Sequence, residues 1–347
     1  MSPLILTLLY FPHVASMKLP GRNACWCHQP RQQFPLKWQT CANGPPPLPE
    51  VARLSDRVIR VLGRNPSPFA LTGTNLYLVG TGEERILVDA GEGKPGVLED
   101  LLQTMKQEGC KSLSQVVITH WHFDHIGGVP QMMRHFGDLV VRKYMPKEGT
   151  AFGESIDFWD PDELLSKIQV RELVDLEELH CEGASLKVLF TPGHANDHVC
   201  LFLEEEGALF TGDNVLGWGT GTFQDMQPYM NSLKRMAAQG ARVLYPAHGP
   251  TVAGAAESAA WLKMYISHRE ERIHQVEKEL RAAASGLDLI ELVKRVYKAQ
   301  PEVMHSPTLF RGACFNTQHV LDFLHKEDCI QRDGEHFVWV PRAVSRM

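Results

Sequence analysis

From Val51 onward, short apolar or β-branched runs alternate with amphipathic stretches in a regular rhythm, the pattern of an α/β fold. NLYLVG at 75–80, the turn TGEE and RILVDAG at 85–91 predict a hairpin over 75–91. Residues 95–108 carry Val97, Leu98, Leu101, Leu102 and Met105 at helical spacing and predict an amphipathic helix. A strand is expected at 115–119. The helix after it is expected to start near Pro130, a residue favoured in a first helical turn. Further strands are expected at 186–191, 199–203, 208–211 and 242–245, followed by a long helix from about Ala255 to Ala284. Between 144 and 180 the rhythm weakens, and the stretch around 148–168 reads as an inserted loop.

The break ASGLDL opens a last unit, 286–341. Its LDLIELVKRVY and FNTQHVLDFLHKEDCI read as helices and QRDGEHFVWV as a small hairpin, a winged-helix-like arrangement. At the other end, residues 1–49 carry Lys18, Arg22, Arg31 and Lys37 but no acidic residue, and run into NGPPPLPE. That suits an organellar transit peptide plus linker. It suits equally an untidy extension with Met17 as another start. The expected organisation is a 1–49 extension, a 50–254 α/β domain, a 255–285 connecting helix and a 286–341 winged-helix-like domain.

Composition changes this picture little. The 347 residues are 44% hydrophobic, enough for a large core, and the net charge of −6 gives no overall attraction to phosphate backbones. Eight cysteines are scattered without the spacing of a disulfide scaffold, which points to a reducing compartment. The longest apolar run at the N-terminus, LILTLLYF, is too short to span a membrane.

The chemistry lies where strands end. RILVDAG presents Asp89; VVITHWHFDH presents His120, His122, Asp124 and His125; LKVLFTPGH, ALFTGD and RVLYPAHG present His194, Asp213 and His248. If these strand ends share one edge, the loops converge. His120 and His122, two apart in an extended segment, point to one side and can bind one cation together. His194 completes a three-imidazole set, His248 completes a set with Asp124 and His125, and Asp213 can bridge the two. Imidazole and carboxylate without thiolate suit zinc, with manganese or iron also compatible. Two cations about 3.5–4 Å apart hold a water between them, lower its pKa and polarise the bond under attack, which is hydrolase chemistry. Asp124 would hold that water. Asp89 fits a carboxylate behind the ligands that orients a histidine.

The order HxHxDH, TPGH, GD and PxHG resembles the metallo-β-lactamase superfamily, which implies a four-layer αββα sandwich with two zinc ions at the edge of two sheets. It places His120, His122 and His194 on one ion, Asp124, His125 and His248 on the other, and Asp213 between them. Antibiotic hydrolysis is not expected, because the cysteine that many true β-lactamases use at the second ion has no counterpart here. RVIRVLGRNPSPFALTGTNLYLVGTG, TPGHANDH, FTGDNVLGWGT, YMNSLKRM and YISHREERI further resemble the endoribonuclease group called β-lactamase-like protein 2, over residues 53–341. That implies cleavage of single-stranded RNA in the mitochondrion, with cytoplasm or plastid as alternatives. Fungal acyl-carrier-protein thioesterases are similar over the same motifs and imply an acyl thioester substrate. A catalytically silent RNA- or protein-binding module is the remaining reading, and a homodimer stays open.

Other residues are less committed. His198, four after His194, fits a substrate-side acid or a supporting residue bonded to a carbonyl. His268 and Arg269 fit an anion contact or a solvated helix face, and Phe69 fits a groove wall or packing. Cys200 reads as buried core. His135, His180 and His274 read as surface residues. No GxSxG elbow supports a serine nucleophile.

Overall fold

The computed structural model of the chain describes residues 44–146 and 161–340. Nearly all of the expected N-terminal extension and most of the 148–168 insert lie outside the described residues. The first half runs β1 (Val51–Arg53), β2 (Val58–Leu62), β3 (Asn75–Val79), β4 (Glu84–Val88), α1 (Val97–Gln107) and β5 (Ser112–Ile118). It continues through α2 (Phe123–Ile126), α3 (Val129–Phe136), β6 (Val141–Lys143), α4 (Pro161–Leu165) and β7 (Val170–Glu172). Its seven strands lie in sequence order in one sheet, antiparallel from β1 to β4 and parallel from β4 to β7.

The second half forms β8 (Glu178–Cys181), β9 (Ala184–Phe190), β10 (Val199–Leu203), β11 (Ala208–Gly212), α5 (Met226–Ala238), β12 (Val243–Pro246), β13 (Val252–Ala253) and α6 (Ala255–Ala282). A six-stranded sheet orders them β13-β12-β11-β10-β9-β8. The chain ends in α7 (Leu289–Val296), α8 (Pro301–His305), α9 (Pro307–Lys326) and the hairpin β14 (Ile330–Asp333) and β15 (His336–Trp339).

The period-2 alternation of strands buried on both faces makes the layers. On β3, Leu76 and Leu78 point out to α1 and α3, while Tyr77 and Val79 point in to the second sheet. The inner layer joins Val88 and Val117 to Val188, Leu201 and Phe210. The outer face of the second sheet, Leu189, Cys200, Leu209 and Leu244, packs on α5 and α6. The result is the αββα sandwich expected from the motifs, with a C-terminal helical region. That region has a small apolar cluster of its own around Val293, Tyr297, Val303 and Ala313, and its Leu292, Val320, Leu321 and Ile330 also share a cluster with α6 and the sheet.

Several elements correct the sequence reading. The stretch 144–180 contains β7 and β8, the outermost strands of the two sheets; as three- and four-residue strands carrying charged, exposed side chains they look like loop in the sequence. α5, the strands β1 and β2, and the short α8 have no counterpart among the expected elements. α9 begins at Pro307, eight residues before the predicted FNTQHV helix, with Ser306 accepting from the Leu309 amide as its cap.

Candidate metal centre

All five candidate loops leave the sandwich at one edge. β4 and β5 are parallel, β9 and β11 share a direction because both are antiparallel to β10, and β12 is parallel to β11. The sheets are sewn together at this edge: the Val199 amide donates to Thr119 O (2.9 Å), and the Tyr77 hydroxyl donates to Pro246 O (2.6 Å). Strand direction thus delivers Asp89, the HWHFDH loop, His194, Asp213 and His248 to one place.

There the side chains fall into two groups: His120, His122, His194 and Asp213, and Asp124, His125 and His248, with the ligand atoms of each group within 4.8 Å of one another. His122 Nδ1 lies 2.9 Å from His120 Nε2 and 3.0 Å from His194 Nε2. Asp213 spans the groups, with Oδ2 3.5 Å from His194 Nε2 and Oδ1 3.3 Å from His248 Nε2. Asp124 Oδ2 lies 3.1 Å from His248 Nε2 and 3.3 Å from His125 Nε2. His120, His125 and His248 are buried, whereas the Asp124 side chain is 25% exposed and marks the mouth.

Three of these imidazoles are aimed by what the other nitrogen touches. His125 Nδ1 meets Asp89 Oδ2 at 2.8 Å, His194 Nδ1 donates to Thr222 O at 2.8 Å, and His248 Nδ1 is 3.4 Å from Gly73 O. Asp89 is itself fixed by the Thr119 amide (2.8 Å) and hydroxyl, and holds φ +60, a conformation rare outside glycine. At Gly212 the β11 ladder bulges and φ is +50; a Cβ there would lie 2.3 Å from His198 Nε2, so only glycine lets β11 turn Asp213 into the site.

The donor set fits divalent cations. Burial and the neighbouring imidazoles hold His120 well below its ordinary pKa and bring His122 down to about 3, so both rings stay neutral near pH 7. Three neutral imidazoles whose ring nitrogens converge in this way can offer lone pairs to a cation. In the other group burial also opposes charge, but Asp213 and Asp124 outweigh it and lift His248 to about 10, and Asp124 and Asp213 raise His125 as well. The carboxylates therefore call for positive charge at that point. His125 Nε2 and Asp213 Oδ1 are buried without a hydrogen-bond partner, as ligands awaiting an ion would be.

The model of the metallo-β-lactamase superfamily matches residues 70–248 of this sequence. The chain belongs to that superfamily. Lactamase-like protein adaB of Aspergillus niger is 39% identical over 281 residues, covering 76% of this chain and 82% of its own. An atrochrysone carboxyl ACP thioesterase of Aspergillus fumigatus is 39% identical over 265 residues, 72% of this chain and 76% of its own. Among solved structures, a metallo-β-lactamase family protein from Thermus thermophilus matches with TM-score 0.60 at 24% identity, over 84% of this chain and 99% of that one. A β-lactamase domain protein from Burkholderia ambifaria matches with TM-score 0.64 at 18% identity, over 84% and 94%. These two likenesses establish the fold.

Within this superfamily member, the geometry bears on two readings that the sequence leaves open. His198, open between a substrate-side acid and a supporting residue, is fully buried: its Nε2 accepts from the Asp213 amide (3.1 Å), and its Nδ1 sits 3.0 Å from the Thr191 hydroxyl. It supports the Asp213 turn from beneath, and its partners are an amide and a hydroxyl, not the expected carbonyl. His268 and Arg269 are not on a solvated helix face; Arg269 is buried and donates to Gly221 O. Phe69 is 79% exposed and so is not core packing, and Cys200 is buried as expected. The sequence reading missed Thr74, whose hydroxyl is 3.4 Å from Asp124 Oδ2, and Asn65, which holds Thr74 from side chain and backbone. It also missed Lys143, at the end of β6, which pairs with Asp197 in the HANDH loop, both fully buried. Among the described residues no helix is long and apolar enough to cross a membrane.

Proposed function

We propose that this chain is a two-metal hydrolase that cleaves an acyl thioester. His120, His122 and His194 would hold one divalent cation and Asp124, His125 and His248 the other, with Asp213 between them, and the all-nitrogen and oxygen donor set favours zinc. When bound, such a pair supplies Lewis acidity and lowers the pKa of water. The protein's part is to exclude solvent from the buried side of the cluster, to keep the five imidazoles aimed, and to offer the partly exposed Asp124 carboxylate at the mouth to orient a water and take its proton.

The choice of bond rests on the leaving group. A ribose oxygen leaves poorly unless it is protonated or otherwise stabilised, whereas a thiol of pKa about 8.5 leaves as the anion. Five imidazoles of the cluster are turned to the ligand positions and His198 faces inward, so none of these six histidines is left to protonate an oxygen at the mouth. That inward histidine is the observation that carries the thioester reading, and the thioesterase names of relatives at 39–41% identity support it. On this reading the acyl group is carried on an acyl carrier protein. The endoribonuclease reading has only the motif resemblance behind it, and the net charge of −6 does not favour a polyanionic substrate.

The test offers zinc-loaded protein an acyl thioester and labelled single-stranded RNA side by side, with His120→Ala as control. Thioester hydrolysis that the variant loses, with intact RNA, is expected. Cleaved RNA with intact thioester would overturn the assignment of substrate, and equal activity in the variant would overturn the assignment of the site.

A further inference from the structure

Along α6 the core-facing residues Trp261, Leu262, Tyr265, Val276 and Leu280 recur at helical spacing. In the middle of that stripe stand Arg269 and Arg272, 3% and 7% exposed. A core stripe calls for apolar side chains there, and a buried guanidinium calls for a counter-charge. Neither arginine forms an ion pair with a carboxylate of the described residues. Arg269 donates to Gly221 O from Nη2 (2.5 Å) and lies over the rings of Phe223 (4.8 Å) and Tyr229 (5.4 Å); Arg272 lies 4.0 Å from the centre of the Tyr297 ring.

Ring faces and the one carbonyl answer part of the charge but leave other N–H groups of the two guanidinium groups unused. Arg269 Nε, Arg272 Nη1 and the adjacent His268 Nδ1 are all buried without a hydrogen-bond partner. Burial, Arg269 and Arg272 together push His268 down to about 3, a site short of negative charge. From α9, His319 Nε2 is in the same unsatisfied state, and its ring reaches Phe223 (5.5 Å) on one side and the 48% exposed Phe315 (4.3 Å) on the other. That chain of rings leads from the surface to Arg269. Next to Gly221, Thr222 O accepts from His194 Nδ1, so Arg269 and the metal-facing histidine back the same exposed loop, and Arg272 stands one turn further along α6.

We propose that Arg269, Arg272 and His268 form a receptor for one oxyanion group of a ligand, a phosphate or a carboxylate, that enters beside loop 219–222. Guanidinium forks match the paired oxygens of either group. The proposal concerns binding and does not depend on which bond is cleaved at the metal centre.

The test is calorimetric titration of the zinc-loaded protein with inorganic phosphate and, separately, with benzoate, at constant ionic strength. Metal ions also bind these anions, so each titration is repeated on His120→Ala and on Arg272→Gln. The expected result is saturable binding that persists in His120→Ala and weakens at least about tenfold in Arg272→Gln. Arg272→Lys, which keeps the charge but not the fork, should fall between, and with His268→Gln it carries the comparison if Arg272→Gln does not fold. Binding of phosphate alone assigns the receptor to a phosphate, and binding of benzoate alone assigns it to a carboxylate. Binding that is lost in His120→Ala and unchanged in the α6 variants, or no binding of either anion, overturns the proposal.

Discussion

Asp89 bears a backbone conformation that costs about 1–2 kcal/mol for a residue with a Cβ, and it does so to bring a carboxylate behind His125. Asp89→Asn keeps the shape and removes the charge, so a metal affinity lower by about 10–100-fold is expected in chelator competition; unchanged affinity would deny Asp89 its orienting part. His198→Gln is expected to lower stability by about 1–3 kcal/mol, by disturbing the acceptor of the buried Asp213 amide, while the pH profile of kcat/KM keeps its shape. Loss of a titrating limb in that profile would instead restore His198 as an acid. The ligands themselves were legible in the sequence because each follows directly on an apolar strand. Lys143 and Asp197 were not, because 54 residues separate them and nothing in either segment names the other. Arg269 stayed open between an anion contact and a solvated face for a simpler reason: an arginine on a long helix is usually solvated, and only the stripe it interrupts shows otherwise.

α6 works as a clamp on the loop after Asp213. Trp261 Nε1 donates to Leu216 O (2.9 Å), the Tyr265 hydroxyl accepts from the Leu216 amide (2.8 Å) and donates to Gly219 O (2.9 Å), and Arg269 follows at Gly221. Tyr265→Phe leaves the Leu216 amide without that partner in a buried place. It is expected to cost about 1–3 kcal/mol in denaturant unfolding and to lower kcat more than it raises KM; equal stability would show the clamp to be idle. His268 gives this helix a pH dependence. Its imidazole, near 3 in the folded chain and about 6.5 when unfolded, binds more protons in the unfolded state, so stability falls as pH drops from about 6.5 towards 3. Ligand-free His268→Gln should lose less stability than wild type between pH 7 and 5, and parallel losses would contradict the assignment. The predicted hairpin and long helix were recovered because their period is unbroken. α5 shows the same helical stripe in Met226, Tyr229, Met230, Leu233 and Met236, but Pro228 disguises it, although proline is harmless in a first turn.

At the scale of the whole molecule, the sandwich follows from strand periodicity, and the metal centre follows from the common direction of β4, β5, β9, β11 and β12. The packing of the C-terminal region does not follow from sequence, because its stripe on α9 could face any apolar surface. In the structure Leu292, Val320, Leu321, Leu324 and Ile330 complete the cluster that α6 shares with the second sheet. A chain ending at residue 285 is therefore expected to be insoluble or to melt at least several degrees lower than the full chain, and an unchanged melting temperature would show that the region stands alone. The proposed hydrolysis of a thioester needs both ions of a single centre. Its most direct test is to titrate metal-stripped protein with zinc while following hydrolysis of an acyl thioester. No hydrolysis without metal and a rise that saturates at two equivalents per chain are expected; full activity at zero equivalents, or saturation at one, would overturn the two-ion centre.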